Sequence, residues 1–511
     1  MTAPSRSTPE RIVIVGFGPV AARLTEHLEP FVAAGLVQLT ILGQEKDAAY
    51  NRVLVADVAV GRTPEEVLRL ADTAALRSAG IDVRLGSTVQ RIDRNIQQIH
   101  SDDGATVPYD RLVLATGSSP VLPPLAGADD AAALPAGVGF LRDLEDARAL
   151  SAALAGGSRL VVLGGGLLGI EAALAAAEEG ADVTLVHHGR HPLERLMGEG
   201  ALLVGYALES AGIRLVSGAA LGLELDDGRI TGLAMGDGTV VPADALVIAC
   251  GVRPRVQLAA DALLETRDGV LVDHSLQVRG GDRIWAIGDC AEVRCTDPAC
   301  APCSIVTAPQ GVIGPGWLQA DQVGAAFAAG LTGAALGPAG TTPEPPRRRD
   351  AVVMLKACGF DAVAAGDTGV GLWDAGNGLD VAVWADSGHG QYVKMVTRDG
   401  VLTGLVCIGM PRTGAELVLL FERGGELPAD RSSLLRLDTA ETALAVGAPA
   451  GDSTLCRCAG IRRDVVEQSV AAGCATVGEV SSNTRAGSGC GGCHGDIRRI
   501  IEQHFAVAAV P

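Results

Sequence analysis

The chain reads as an α/β protein with two Rossmann-like dinucleotide-binding domains, followed by an α+β domain and a small helical metal-binding domain. Three observations predict this. Gly16-Phe17-Gly18-Pro19-Val20-Ala21 follows the apolar strand Arg11–Val15 and opens a helical stretch to Leu28. Gly164-Gly165-Gly166-Leu167-Leu168-Gly169 follows the strand Arg159–Leu163 and opens a helix over Ile170–Glu179, before the strand Asp182–Val186. Near the C-terminal end, Cys456 and Cys458 form a C-x-C pair, and Cys490 and Cys493 form a C-x-x-C pair.

Each glycine turn matches G-x-G-x-x-[GA] in the setting that gives this pattern meaning. A strand delivers the chain to a tight turn, and the backbone N–H groups of the following helix receive a pyrophosphate. The two turns stand 148 residues apart, from Gly16 to Gly164, and so predict two dinucleotide sites in one chain. Between and after them, Arg111–Ser118 is a strand ending in the small-residue turn Ala115-Thr116-Gly117, and Arg283–Ala291 is another, ending in Gly288-Asp289.

The chain has 511 residues, too long for one core, with 48% hydrophobic but only 3% aromatic residues, an α/β composition built on Ala, Val, Leu and Ile. A net charge of −19 argues against nucleic-acid or anionic-membrane partners, which require a basic surface. Met1–Glu10 lacks the apolar stretch of a signal peptide, and no apolar run of membrane-spanning length follows. A soluble, cytoplasmic protein is expected, whose twelve cysteines are ligands or buried thiols and not a disulfide frame.

In this order, with Gly251-Val252-Arg253-Pro254 between the motifs, residues 10 to 335 resemble the two-dinucleotide-binding-domain flavoproteins of the pyridine nucleotide oxidoreductase family, with a glutathione-reductase-like fold. The resemblance implies that Gly16, Gly18 and Ala21 take the ADP part of FAD. It also implies that Ala115, Thr116, Gly117 and Gly288 lie against FAD, that Asp289 accepts a hydrogen bond from its ribityl chain, and that Gly164, Gly166 and Gly169 take NAD(P)H. The expected organisation is an FAD-binding domain over residues 10–118 and 245–335, an NAD(P)H-binding domain over 119–244, a reductase or dimerisation-like domain over 350–445, and a cluster domain over 453–511. The segment 341–349 and the segment 446–453 read as linkers.

An acid at the end of the second strand usually meets the first dinucleotide's ribose, and Gln44 and Glu45 both stand there. Glu45 is favoured because a carboxylate accepts from two hydroxyls. Ala49-Tyr50-Asn51-Arg52 resembles the segment in the flavin half of NAD(P)H nitrite reductases whose arginine lies near FAD; the alternative is a solvated Arg52. The strand after the second fingerprint ends Val186-His187-His188-Gly189-Arg190 without the expected acid. His187, His188 and Arg190 either accept a 2′-phosphate or line an NADH pocket, and Glu171 lies near the nicotinamide or is structural.

Two close thiolate pairs form the ligand set of an iron–sulfur cluster or a structural zinc. Thirty-one residues separate Cys458 from Cys490, and the surrounding Thr484, Arg485 and Gly487 extend a close resemblance to the [2Fe-2S] domain of bacterioferritin-associated ferredoxin. Gly487, Gly489, Gly491 and Gly492 leave room for backbone N–H groups to approach sulfur, and a helix over Ile461–Ala472 follows the first pair.

No cysteine precedes Cys250, which removes the C-x4-C pair of the disulfide reductase branch. The sirohaem spacings C-x5-C and C-x3-C are absent from these residues, so sirohaem-dependent nitrite reduction by this chain itself is not expected. Cys295-x4-Cys300-x2-Cys303, with Cys290 or a distant thiol, has the spacing of a second cluster or a zinc site. Cys250, Cys358, Cys407 and Cys474 read as buried thiols.

A nitrite-reductase-like flavoprotein fused to such a tail resembles the electron-transfer subunit of bacterial assimilatory nitrate reductase. That resemblance implies a molybdenum catalytic subunit as electron acceptor. The alternatives are an NAD(P)H-ferredoxin or rubredoxin reductase, a donor to a separate nitrite reductase, or a redox-sensing or bacterioferritin-docking protein. A homodimer through the domain over 350–445 is a further expectation.

Overall fold

A computed structural model describes residues 8–155, 157–295, 300, 311–333, 352–357, 360–374, 378–438, 454–456, 459–488 and 493–508. Both expected linkers lie outside the described residues. β1 (Glu10–Val15), α1 (Pro19–Ala33), β2 (Val37–Gly43), β3 (Asp82–Leu85) and β4 (Arg111–Leu114) begin the first unit. β1 is flanked in parallel by β2 and β4, and β2 continues to β3. Burial on both faces explains the continuous Ile/Val/Leu runs of β1 and β2.

The second unit repeats this plan with β5 (Arg159–Leu163), α2 (Leu167–Glu178), β6 (Asp182–His187), β7 (Arg214–Ser217) and β8 (Ala245–Ile248). Its parallel sheet runs β7-β6-β5-β8, with the strand Val138–Phe140 at the edge. β8 pairs with β5, so by strand pairing the second sheet extends four residues past the expected boundary at 244/245. Helix α2 starts at Leu167 rather than Ile170 because the turn glycine Gly166 itself serves as N-cap.

The chain then returns to the first sheet through β9 (Val270–Val272), β10 (Ile284–Ala286) and β11 (Ala291–Val293), with β10 pairing in parallel with β4. Helix α3 (Ile313–Thr332) lies along α1 so closely that a β-carbon at Gly324 would stand 2.6 Å from the His27 β-carbon. Asp321 ties the two helices together: its carboxylate accepts Arg23 Nε at 2.6 Å and meets His27 Nε2 at 2.7 Å.

β12 (Val353–Ala357), β13 (Phe360–Gly366), β14 (Leu379–Asp386), β15 (Gln391–Arg398) and β16 (Val401–Ile408) form an antiparallel sheet in the order β12-β13-β16-β15-β14. Helix α4 (Pro411–Arg423) covers it, burying Leu417, Val418 and Phe421. This is the α+β unit the sequence predicts.

The last unit contains α5 (Arg463–Ala471), α6 (Val477–Thr484) and α7 (His494–Ala508). Helix α5 begins two residues later than expected, because Ile461 pairs back onto Cys456 in a short antiparallel ladder. Val466, Val470, Val480, Ala486, Ile497 and Ile500 form a small core around Cys456 and Cys493. No described helix is long and apolar enough to cross a membrane.

Phe327 on α3 is 1% exposed, stands edge-on to Trp285 at 4.8 Å between ring centroids, and carries the Arg111 guanidinium 4.5 Å above its face. Phe327→Ala removes all three contacts and is expected to cost about 3–5 kcal/mol. Calorimetry is expected to show a lower unfolding temperature for the first unit.

Candidate functional site

The two parallel sheets direct their fingerprint turns into one cavity of about 1370 Å³. Gly16 has φ +101° and Gly164 has φ +131°, and a β-carbon on them would meet the strand-end carbonyl oxygens of Ala115 and Ala249 at 2.2 and 2.3 Å. The same steric demand therefore falls on the first glycine of both turns. Neither α1 nor α2 has a side-chain N-cap hydrogen bond. Their first-turn N–H groups and positive dipole ends are left for an anionic ligand.

Gly16, Gly18 and Ala21 line the cavity, as do Glu45, Arg52, Ala115, Thr116, Gly117, Gly288 and Asp289. Glu45 is the ionic partner of Arg52 and accepts the Tyr50 hydroxyl at 2.6 Å. Tyr50 in turn receives the Leu144 N–H at 3.2 Å, so Ala49–Arg52 fixes the end of β2 against the helix Leu144–Leu154. Arg52 is thus a half-buried, paired group and not a solvated surface arginine.

Sequence reasoning missed Arg142, which stands at the centre of this wall. Its Nη2 donates to Asp289 Oδ2 at 2.7 Å and to Ser118 Oγ at 2.6 Å. Its Nε is buried without a hydrogen-bond partner among the described residues. Arg255, also unpredicted, lines the same cavity, and burial followed by the charge on Arg52 pushes its pKa below the usual arginine value. Three guanidiniums with an orphaned donor between two uncapped helix ends fit a phosphate-bearing dinucleotide. No short sequence pattern marks Arg142, because a turn far from both fingerprints brings it in.

Gly288 N–H donates to Gln319 Oε1 at 2.7 Å, and the Trp317 indole N–H donates to the Pro19 carbonyl at 3.3 Å. Both contacts set the start of α3 against the cavity. On the second fingerprint, Gly166 and Glu171 line the same space, while Gly169 packs so tightly that a β-carbon would lie 2.0 Å from Gly164 O.

His187 and Arg190 are placed otherwise. His187 is buried behind Gly165, and desolvation pushes its pKa below the usual histidine value, which leaves it neutral at pH 7. Arg190 is exposed, with its backbone N–H donating to Glu194 at 2.9 Å. Neither lines the cavity, and of the two only Arg190 presents its side chain to solvent beyond the end of β6.

In the C-terminal unit, Cys456 and Cys493 are buried in one core. Cys458 and Cys490 lie outside the described residues, as do Gly489, Gly491 and Gly492. Gly487 N–H donates to Cys456 Sγ at 3.4 Å, and His494 Nε2 donates to Gly487 O at 2.8 Å. Gly487 has φ +87°, and a β-carbon there would lie 2.8 Å from Ser481 Oγ and 3.0 Å from the His494 ring. A buried sulfur with a backbone donor fits a thiolate ligand of a metal cluster. Ala459, Gly460 and Arg485 line the same cavity as the fingerprints, and Arg485 is the ionic partner of Glu26 on α1.

Cys290 is not available as a ligand. It is fully buried, and its thiol donates to Leu114 O at 3.4 Å and Ile287 O at 3.3 Å. Cys407 is also buried, Cys250 and Cys474 are half-buried, and Cys303 and Cys358 lie outside the described residues.

This geometry defines a two-dinucleotide reductase carrying a thiolate metal domain. Residues 10–311 match the Pyridine nucleotide-disulphide oxidoreductase family, and the chain belongs to it. Residues 454–503 match the BFD-like [2Fe-2S] binding domain. Together these matches imply FAD, NAD(P)H and a [2Fe-2S] cluster as cofactors.

The chain is 28% identical to the Nitrite reductase [NAD(P)H] of Bacillus subtilis (strain 168) over 96% of its own length and 57% of that protein's. It is also 28% identical to the Assimilatory nitrate reductase electron transfer subunit of the same organism, over 95% of this chain and 58% of that one. The chain thus spans somewhat over half the length of these curated relatives. The covalent putidaredoxin reductase–putidaredoxin complex has the same fold, with a TM-score of 0.68 and 22% identity over 85% of this chain and 100% of the matched chain.

Arg142→Leu leaves Asp289 without its cation and removes the orphaned donor, so FAD retention is expected to weaken by about tenfold or more, ~1.4 kcal/mol. Flavin fluorescence released on dilution measures this. Gly487→Val forces a side chain against Ser481 and His494, and colorimetric analysis is expected to find less than roughly half the wild-type iron.

Proposed function

We propose that the chain is an NAD(P)H-dependent flavoprotein that passes electrons through a [2Fe-2S] centre to a redox partner, the molybdenum catalytic subunit of an assimilatory nitrate reductase. The observation that carries this reading is the single cavity lined by both fingerprint helices, by Asp289 and by Gly460 and Arg485 of the cluster unit. When bound, FAD accepts the two reducing equivalents of a pyridine nucleotide, and the [2Fe-2S] centre passes electrons one at a time.

In this reading Gly16, Gly18 and Ala21 with the α1 N-terminus bind the pyrophosphate of FAD, and Glu45 binds its adenosine ribose. Arg52, Arg142 and Asp289 orient the ribityl chain, with Ala115, Thr116, Gly117 and Gly288 beneath it. Gly164, Gly166 and Gly169 bind the pyridine nucleotide, and Glu171 faces its nicotinamide end. No side-chain acid or base is required for the transfer; the protein orients both reactants and excludes water.

NADH is the proposed donor. The neutral, buried His187 supplies no charge for a 2′-phosphate, and the Glu194 carboxylate beside the end of β6 opposes one. Cys456, Cys458, Cys490 and Cys493 hold the cluster, and Arg485 with Glu26 keeps the cluster unit beside the cavity.

Similarity to the electron transfer subunit supports the proposed acceptor. Cys493→Ser is expected to leave flavin reduction by NADH intact while abolishing nitrate reduction by the added catalytic subunit. An anaerobic titration read by visible absorbance and EPR checks the first part, and partner turnover checks the second. Wild-type partner turnover in the variant overturns the path through the cluster, and turnover with separate ferredoxins alone reassigns the acceptor.

A further inference from the structure

One set of soft ligands is not used by the reductase. His274, Cys295 and Cys300 each present a ligand atom, and these three atoms all lie within 4.8 Å of one another. The backbone brings them together. β9 and β11 pair in parallel with Val270 opposite Ala291 and Val272 opposite Val293, and the Arg294 N–H continues the ladder to Val272 O at 2.8 Å. Continuing that register sets His274 beside Cys295, and Cys300 stands at the same point.

The histidine is held from behind. Asp273 Oδ1 accepts the Ser275 N–H at 2.8 Å, the Ser275 hydroxyl at 2.6 Å and the Gln277 N–H at 3.1 Å, which fixes the turn. Gln322 on α3 donates to His274 O at 2.5 Å. These contacts fix the backbone that carries the imidazole.

Cys300 Sγ stands 3.6 Å from His274 Nε2. Zinc bonds of ~2.3 Å to sulfur and ~2.0 Å to nitrogen, at a tetrahedral angle, separate the two ligand atoms by about 3.5 Å. We propose that His274, Cys295 and Cys300 bind one zinc ion, separate from the C-terminal cluster. Two thiolates and an imidazole are the donor set that selects zinc over hard cations. Cys290 is excluded from the set because its thiol is committed to two carbonyls.

The position suggests what the ion does. Zinc here ties Cys300 to the ends of β9 and β11, and Gln322 joins His274 to α3, whose first residues Ile313, Gly314 and Pro315 line the cavity. It is a clamp on the cavity wall, with no step in electron transfer assigned to it.

The test is metal analysis of the full-length chain by mass spectrometry, with zinc K-edge absorption on the wild type. About one zinc per chain is expected, with sulfur and nitrogen neighbours. His274→Ala, Cys295→Ser and Cys300→Ser are each expected to lower it to below about a tenth per chain. A Cys456→Ser variant is expected to lose iron and keep zinc, which separates the two sites. Several results overturn the proposal: no zinc in the wild type, zinc unchanged by the three substitutions, iron at this site in its place, or a Cys295–Cys300 disulfide in protein isolated without oxidant.

Discussion

Bare helix N-termini at the ends of parallel strands are the constraint on which the rest of this structure depends. A pyrophosphate needs backbone N–H groups that no side chain caps or covers, and α1 and α2 both leave theirs open. That demand forces glycine where the turn passes the neighbouring strand-end carbonyl, at Gly16 against Ala115 and at Gly164 against Ala249. The two sheets are thereby oriented with their C-terminal edges toward one shared cavity.

Charge inside that cavity is organised as a paired network rather than as isolated ions. Glu45 neutralises Arg52, Asp289 neutralises Arg142, and Tyr50 connects the Glu45 carboxylate to the start of the helix Leu144–Leu154. Arg255 has no acid of its own in the hydrogen bonds it makes, donating to Ser119 Oγ and Thr116 O. That guanidinium, with no carboxylate hydrogen-bonded to it among the described residues, is left for a ligand that brings its own negative charge.

The C-terminal unit reaches the same cavity by a different route. Its core is small, and Cys456 and Cys493 are part of that core, so ligand geometry and folding of the unit are coupled. Arg485 has a left-handed backbone, φ +65°, at the end of α6, and from there it pairs with Glu26. Its pKa is lowered to about 10, first by burial and then by the nearby Arg23, so it remains a cation at neutral pH.

Local pattern alone determined much of this protein. Both glycine fingerprints, the strand and turn at Ala115–Gly117, Gly288-Asp289 and the terminal cysteine pairs are demands met within a few consecutive residues, so they are visible in one dimension. Tertiary structure decided what depends on elements far apart in the chain. Arg142 meets Asp289 across 147 residues, and His274 meets Cys300 across 26. His187 has a ligand-like place in the sequence, yet it is buried because the glycine turn packs on top of it. Cys290 falls in a metal-like spacing, yet its thiol is used by two carbonyls. Sequence spacing records which groups are present, but burial and long-range pairing determine which of them a ligand can reach.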